Sequence, residues 1–471
     1  MIKNTEKRKG SNMYRIDFSK PGRVHFIGIG GISMSGLAEI LLEAGFTVSG
    51  SDRAASDLTK KLADEGVTVY YGQRADNITD DINVVVYTAA IKDDNPEYAE
   101  AVAKNIPMMT RAELLGMIMK NYETAIAVSG THGKTTTTSM IASILLAADA
   151  DPTVSVGGML PSIGGNIRIG RSGCFLTEAC EYTNSFLSFF PTVSVILNID
   201  RDHLDFFKDL DDIRNSFRKF AGLLPDNGLL VINADIDDID KITADVNCRI
   251  VTFSALSNAD ITAADIKYDE RGCASFTVLK SGNEFADIHL GVPGEHNVSN
   301  ALAAVAVCEY LGIKKDGICR GLADYTGTDR RFQYKGKIGE VTIIDDYAHH
   351  PTEIEATLSA AANYPHKKLW VVFQPHTYSR TKMLFDEFAK ALCRADAVVL
   401  ADIYAAREKD TLGVSSEDLC ETIKNYGKES YYFGSFDEIE NFILLNCSPG
   451  DLLITMGAGD IVKVADHLLG L

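Results

Sequence analysis

The stretch AVSGTHGKTTTTS, residues 127–139, decides how this chain is read. It overlaps the apolar run 124–129, which reads as a short buried strand. It leads into TTTTSMIASILLAA, whose apolar spacing is that of a helix packed on a core. Gly130 and Gly133 therefore sit in a strand-to-helix turn. Such a turn aims backbone N–H groups off a helix N-terminus, where the macrodipole adds partial positive charge, so it suits an anion. Lys134 then reaches the β- and γ-phosphates of a nucleotide, and the Thr135 hydroxyl is placed for Mg²⁺. A turn that only starts a helix needs neither the lysine nor the adjacent hydroxyls. The loop is shorter than the general phosphate-loop pattern, because its first glycine lies three residues before Gly133 instead of five.

Towards the N-terminus, GRVHFIGIGGISMSGLAEILLEAGFTVSGSD reads as a strand (24–29), a glycine turn, a helix (35–44) and a second strand (47–51) ending in Asp52. Further strand and helix patterns follow in VTVYYG, INVVVYTAAI and RAELLGMIMK, giving a small parallel sheet of Rossmann type that ends near residue 121. Gly28, Gly30, Gly31 and Gly36 do not form a strict G-x-G-x-x-G, since Ser33 holds the third place. The turn still lets backbone amides approach a diphosphate, and Asp52 stands where a ribose-binding carboxylate belongs.

Towards the C-terminus, Glu178 ends one predicted strand, and Asp200, Asp202, His203 and Asp205 follow the next. In an open α/β sheet both ends share the carboxyl edge with the phosphate loop, so an acid and a histidine there can hold Mg²⁺. Residues 248–292 alternate like antiparallel strands and predict a small accessory sheet. GEHNVSNALAAVAVCEYLG predicts a helix capped by Asn297 or Ser299 and stopped at Gly312. After GTDRRFQY, the runs VTIIDDY, KLWVVFQP, DAVVLADIY and DLLITMGAG predict a second doubly wound sheet. IDDYAHHPTE sets Asp345, Asp346, Tyr347, His349 and His350 before a helix starting at Pro351, Arg330 and Arg331 offer planar donors for phosphate, and QPHTYSRT adds His376 and Arg380.

The fold class is thus α/β in three domains: a Rossmann-like domain over 1–121, a central phosphate-loop ATPase-type domain with the accessory sheet over 122–327, and a doubly wound domain over 328–471. With 46 basic and 65 acidic residues the net charge is −19, which argues against nucleic acid or an anionic membrane as partner. No run is long and apolar enough for a membrane span, and the first residues, MIKNTEKRKGSNM, lack the apolar region of a signal peptide, so a cytoplasmic location is expected. The nine cysteines have no C-x-x-C pair and no metal-like spacing, as expected for reduced thiols. A nicotinamide-dependent oxidoreductase would use the first glycine turn equally well but leaves the phosphate loop, DHLD and HNVSN without a task. A non-catalytic nucleotide-binding regulator would have no use for both the metal-type residues and those of the third segment.

Taken together, HFIGIGGISMSGLAEILLEAGFTVSGSD, GTHGKTTT, TEACEYTNSFL, NIDRDHLD, GEHNVSNALAA, DRRFQYKG, DDYAHHPTE and QPHTYSRT resemble, in order, the Mur ligases, the ATP-dependent amide-bond formers of peptidoglycan synthesis. The short G-x-x-G-K-T loop is that family's own version. DDYAHHPTE with QPHTYSRT points to the alanine-adding branch or its relative that attaches preformed peptides. The resemblance implies ATP and Mg²⁺ as cofactors, UDP-N-acetylmuramate and L-alanine as substrates, and a monomer or homodimer. It implies that Gly130, Thr131, His132, Gly133, Lys134, Thr135 and Thr136 cradle ATP phosphates. Asn297 and Asn300, with His296 beside them, would read adenine, and Arg331 and Asp346 would close over the nucleotide. Thr135, Glu178 and His203 would ligate Mg²⁺. Gly28, Gly30, Gly31, Ser35, Gly36, Asp52 and Thr88 would hold the uridine diphosphate, while His349, His376 and Arg380 face the sugar carboxylate and the amino acid. Ser33 and EACEYTNSF depart from the family's usual residues, which leaves Glu181 without an assigned role. Phe217, with Lys219 two residues on, stands where several members carry a carbamylated lysine, so no carbamylation is expected.

Overall fold

The computed structural model describes residues 14–88, 90–406 and 408–471, arranged around three sheets. In the first sheet, β1 (Arg23–Ile27), β2 (Thr47–Asp52), β3 (Thr68–Tyr71), β4 (Val84–Tyr87) and β5 (Met108–Thr110) run parallel in the order β3-β2-β1-β4-β5. The first helix is Ile32–Glu43, three residues earlier than its apolar pattern suggests. Its N-cap Gly31 supplies no side chain, so the turn's amides start the helix directly.

The second sheet contains β6 (Thr124–Ser129), β7 (Thr153–Leu160), β8 (Gly165–Arg168), β9 (Cys174–Glu178), β10 (Val193–Ile196), β11 (Leu229–Asn233), β12 (Arg249–Ser254), β13 (Ile261–Tyr268), β14 (Cys273–Lys280) and β15 (Asn283–Pro293). Its order is β15-β14-β13-β12-β11-β10-β6-β9-β7-β8. The antiparallel strands expected as a separate accessory sheet instead extend the central one, because β13 pairs parallel with β12 through Phe253 and Ser254. β6 lies between β9 and β10, both parallel to it, so the phosphate loop, Glu178 and the segment from Asn198 onward emerge at one edge.

The helices Lys134–Ala147 and His296–Tyr310 are buried on nearly all sides, the first with Thr135, Thr137, Thr138 and Ser139 buried beside its apolar residues. The second starts at His296 behind Glu295, and neither Asn297 nor Ser299 caps it. The Asn297 amide donates back to the Pro293 carbonyl at 2.7 Å, and Asn300 donates to Asn297 Oδ1 at 3.0 Å, so both asparagines are turned into the interior. Helix Lys315–Ala323 presses on the phosphate-loop helix at Gly321, where a Cβ would stand 2.4 Å from Ile144 Cα.

The third sheet holds β16 (Gln333–Ile338), β17 (Val341–Asp346), β18 (Leu369–Phe373), β19 (Ala397–Leu400), β20 (Glu429–Tyr432) and β21 (Leu452–Met456), ordered β16-β17-β21-β18-β19-β20. All pairs are parallel except the edge strand β16, which the sequence pattern did not announce. Pro351 opens a helix, Pro351–Ala362, as expected, behind the N-cap His350. Among the described residues, no helix is long and apolar enough to cross a membrane.

Candidate functional site

Gly133 caps the helix Lys134–Ala147 at φ 83°, a left-handed conformation that favours glycine and turns the loop amides towards the helix axis. Asn198 clamps the loop from the end of β10: its Oδ1 accepts from His132 N at 2.8 Å, and its amide donates to the His132 carbonyl at 3.0 Å. Lys134 Nζ folds over the loop, donating to the carbonyls of Gly130 and of Thr131 (3.0 Å) and pairing with Glu181 Oε2 at 3.0 Å. Burial works against the charged lysine, but the nearby Glu181 carboxylate outweighs it and raises the pKa, so the ammonium is retained. Glu181, unassigned by sequence, is 1% exposed and is thus the buried counter-ion of the loop.

Beside the loop lies a cavity of about 390 Å³. His132, Gly133 and Thr136 line it from the loop, His296, Asn297 and Asn300 from the buried helix, and Arg331, Asp346 and Glu353 from the third unit. Most of the residues expected around a nucleotide are therefore brought together, along with Tyr325 and Phe332, which the sequence did not single out. The two adjacent arginines separate. Both lie over the Tyr347 ring, at 5.0 and 5.1 Å, but Arg330 is spent on Asp345 Oδ2 at 3.0 Å and on the carbonyls of Gly457 and Gly459, whereas Arg331 lines the cavity. Burial raises the Asp346 pKa to about 6 despite the opposing Arg331 charge, and its carboxylate accepts from Phe332 N and Ala348 N, both at 2.7 Å.

A second cavity, of about 400 Å³, holds Tyr182, Asp202, His203, His376, Thr377 and Arg380. Arg380 Nη2 meets Asp202 Oδ1 at 3.0 Å, tying the third unit to the central one. His203 stacks on Tyr182 with ring centroids 4.5 Å apart. His203 (φ 53°) and Thr377 (φ 66°) hold positive φ, strained for side chains with a Cβ and strongest for β-branched Thr377. Burial lowers the pKa of His376, to about 4, and of His349, also to about 4, so both are neutral imidazoles at pH 7.

The expected metal residues are Thr135, in the first turn after the loop, Glu178, at the end of β9, and His203. Glu178 curls against β7, accepting from Gly157 N, where a Cβ on Gly157 would come within 2.8 Å of Glu178 Oε2. The carboxylates of Glu178 and Glu181 and an imidazole 4.0 Å from Glu181 are donor types that a divalent cation accepts, although Glu181 is already paired with Lys134. The trio with candidate ligand atoms within 4.8 Å of one another among the described residues is a different one, His132, Asp200 and His350. There His350 Nδ1 accepts from Thr352 N at 3.3 Å and Nε2 bonds the Arg201 carbonyl at 3.1 Å, so hydrogen bonds already use both nitrogens.

In the first unit, Gly28 N and Ile29 N donate to the Ser51 carbonyl, and Gly30 N donates to Asp52 Oδ2 at 2.8 Å. Asp52 thus shapes the turn it was expected to serve. Gly28, Gly30 and Gly31 stay at the turn and Thr88 follows β4, but Ser35 and Gly36 are buried. Ser35 donates back to the Ile32 carbonyl within the helix, and a Cβ on Gly36 would strike Ile167 at 2.1 Å, so Gly36 packs the helix against β8. Phe217 is fully buried and Lys219 is exposed.

His132 joins the central and third units. Its Nε2 lies 3.4 Å from Asp200 Oδ2 and its Nδ1 3.2 Å from Glu353 Oε1, while Thr352 Oγ1 donates to Asp200 Oδ2 at 2.8 Å. Burial pushes its pKa down, but the two carboxylates win and raise it from 6.5 to about 9. The stabilisation from this charge is complete below pH 6.5 and is lost as the pH rises through about 9. We expect the wild type to lose up to roughly 3 kcal/mol more unfolding free energy than His132→Gln between those limits. Denaturant titrations at both pH values check this, and equal losses would exclude a protonated His132.

The central and third units build this edge, with a phosphate loop, a cavity roofed by the third unit, and a second cavity rich in histidine and arginine, and the first unit adds its glycine turn. Three family models cover them: "Mur ligase family, catalytic domain" (residues 23–123), "Mur ligase middle domain" (128–308) and "Mur ligase, glutamate ligase domain" (330–459). The chain belongs to the Mur ligase family. It is 60% identical over 457 residues to the UDP-N-acetylmuramate--L-alanine ligase of Agathobacter rectalis, covering 97% of this chain and 100% of that one. The enzyme of the same name from Lachnospira eligens is 59% identical over 458 residues, covering 97% and 100%. Among solved structures, the UDP-N-acetylmuramate-alanine ligase of Thermotoga maritima matches with a TM-score of 0.79 at 31% identity, over 95% of this chain and 98% of that one. A murein peptide ligase from Psychrobacter arcticus matches at TM-score 0.69 and 25% identity, over 95% and 98%.

Proposed function

We propose that this protein joins L-alanine to the lactyl carboxylate of UDP-N-acetylmuramate at the expense of ATP. The observation that carries this reading is the pairing of the two cavities: one is bounded by the phosphate loop and the Asn297–Asn300 pair, the other by His203, His376 and Arg380. The 60% identity to an enzyme named for this reaction supports it.

On this reading the substrate carboxylate attacks the γ-phosphorus of ATP, the bond to the bridging oxygen breaks, and ADP leaves an acyl phosphate. The L-alanine amine then attacks the carbonyl, loses a proton, and expels inorganic phosphate. Both steps gather negative charge on transferring oxygens, so the protein's main task is to position and neutralise. Lys134 supplies a fixed ammonium once phosphate displaces the loop carbonyls, and Arg331 supplies a planar donor from the roof. Arg380 and His376 orient the second cavity's ligands, and His349, a neutral imidazole edge-on to His376, faces the same ligands without adding a like charge against the incoming ammonium. Thr135, Glu178 and His203 would hold Mg²⁺, which when bound neutralises phosphoryl oxygens. The glycine turn at 28–31 with Asp52 and Thr88 would hold the uridine diphosphate, in an N-terminal domain of residues 1–121.

The test is phosphate release from ATP, Mg²⁺ and UDP-N-acetylmuramate with either L-alanine or L-Ala-γ-D-Glu-diaminopimelate added. L-Alanine is expected to stimulate release. Stimulation by the tripeptide alone would move the protein to the peptide-attaching relative, the activity that the Psychrobacter arcticus structure bears in its name.

A further inference from the structure

The nucleotide cavity is linked to the second one through a side chain of its wall to which the proposed reaction gives no step. Glu353 lies in the first turn of the helix Pro351–Ala362, with its side chain 15% exposed. Oε1 accepts from His132 Nδ1, on the phosphate loop, at 3.2 Å. Oε2 accepts from His349 N at 3.1 Å and lies 3.2 Å from His349 Nδ1. The His349 ring in turn packs edge-on against His376, with centroids 5.7 Å apart, and His376 Nδ1 lies 3.1 Å from Arg380 Nη1. A continuous path of contacts thus runs from the nucleotide cavity to the second one, and Glu353 is its bridge.

We infer that Glu353 is a positioning residue that sets the phosphate-loop histidine and His349 together, so that nucleotide binding and amine-substrate binding are coupled. This rests on the ligase reading for the identity of the second ligand. The physical reason is the rigidity of a carboxylate: its two oxygens are fixed relative to each other, so a rotation that follows His132 breaks the bond to His349. A shift in the loop on nucleotide binding is therefore felt at His349. Linkage makes the effect reciprocal. A helix-capping role alone would not do this, since the cap of this helix is His350, which accepts from Thr352 N. Asp200 and Glu353 face His132 as acids and His350 as a ring 4.9 Å away.

The full chain tests this with three variants: His132→Gln, Glu353→Gln and the double substitution. Although His132 lines the nucleotide cavity, His132→Gln is expected to raise the KM for L-alanine about 5- to 10-fold, the usual scale of coupling between sites. In the Glu353→Gln background the same change should have no further effect on that KM. If the two effects multiply, or if His132→Gln moves only the KM for ATP, the inference fails. A second measurement does not depend on the amine substrate: ADP at saturation should slow amide hydrogen exchange across residues 347–356 in the wild type and leave it unchanged in Glu353→Gln. Glu353→Asp, whose shorter carboxylate reaches only one histidine, should behave as Glu353→Gln does in both measurements, which separates lost bridging from lost charge. Wild-type exchange unmoved by ADP overturns the coupling. Absence of L-alanine-stimulated phosphate release, with the exchange response intact, overturns the ligase reading alone.

Discussion

Lys134→Ala is expected to lower the rate of ATP-dependent phosphate release by ~10²–10³, the scale measured when one preorganised electrostatic group is removed from a transition state. Lys134 is the cation that the loop itself delivers, and its ammonium is held in place by two loop carbonyls and Glu181 before any ligand arrives. The truncation also strands Glu181, a carboxylate 1% exposed, and an unpaired buried charge is costly. The double variant Lys134→Ala/Glu181→Gln separates the two effects. It should recover the folding stability lost by the single variant while its rate stays low. A double variant that regains activity would mean that the lysine serves the fold and not the phosphoryl transfer. Near wild-type rates in the single variant would remove the phosphate loop from the proposed chemistry altogether.

The phosphate loop could be read from sequence because its signal is local: strand, glycines, lysine and hydroxyls fall within thirteen residues. The parallel strands β1, β6 and β10 were legible for the same reason, each being a short apolar run bounded by turns. What escaped was non-local or weakly patterned. His132 and Glu353 are 221 positions apart, and nothing in HHPTE says which of its polar residues will meet the loop. The edge strand β16 carries exposed and half-buried residues in no strict alternation, with Gly336 among them, so it lacks the period-two signal of a half-buried strand. Asn297 looked like a helix cap because asparagine favours caps, but tertiary context placed it one residue inside the helix with its amide turned back to Pro293. Ser35 and Gly36 looked like part of the diphosphate turn because they follow it directly. The helix begins early enough to bury both, Gly36 against Ile167 of β8 and Ser35 with its hydroxyl on the Ile32 carbonyl.

Phe217 joins this core to the site. Phe217 is fully buried on the helix Leu210–Ala221, edge-on to Phe186 at 5.5 Å, and Phe186 stacks on Phe220 at 4.6 Å with the rings 3° from parallel. Phe186 belongs to the short helical segment Tyr182–Ser188, whose preceding residue is Glu181. That segment contains Thr183 and Asn184 at φ 55° and 57°, conformations that persist only where surrounding packing fixes them. Ser216, beside Phe217, donates to Asn184 and supplies part of that fixing. The aromatic cluster is thus the support on which Glu181 and Tyr182 are held against Lys134 and His203. Phe217→Ala should cost ~3–5 kcal/mol through lost burial and the cavity left behind. Denaturant unfolding should show a lower midpoint with an unchanged slope, as expected when stability changes without a change in the surface exposed. Because the support of Glu181 loosens as well, the surviving folded protein should also bind nucleotide more weakly, whereas Phe217→Leu, which keeps most of the volume, should lose little of either. A Phe217→Ala protein that is less stable but binds ADP as the wild type does would show that Glu181 is held by Lys134 alone, with the core beneath it serving only the fold.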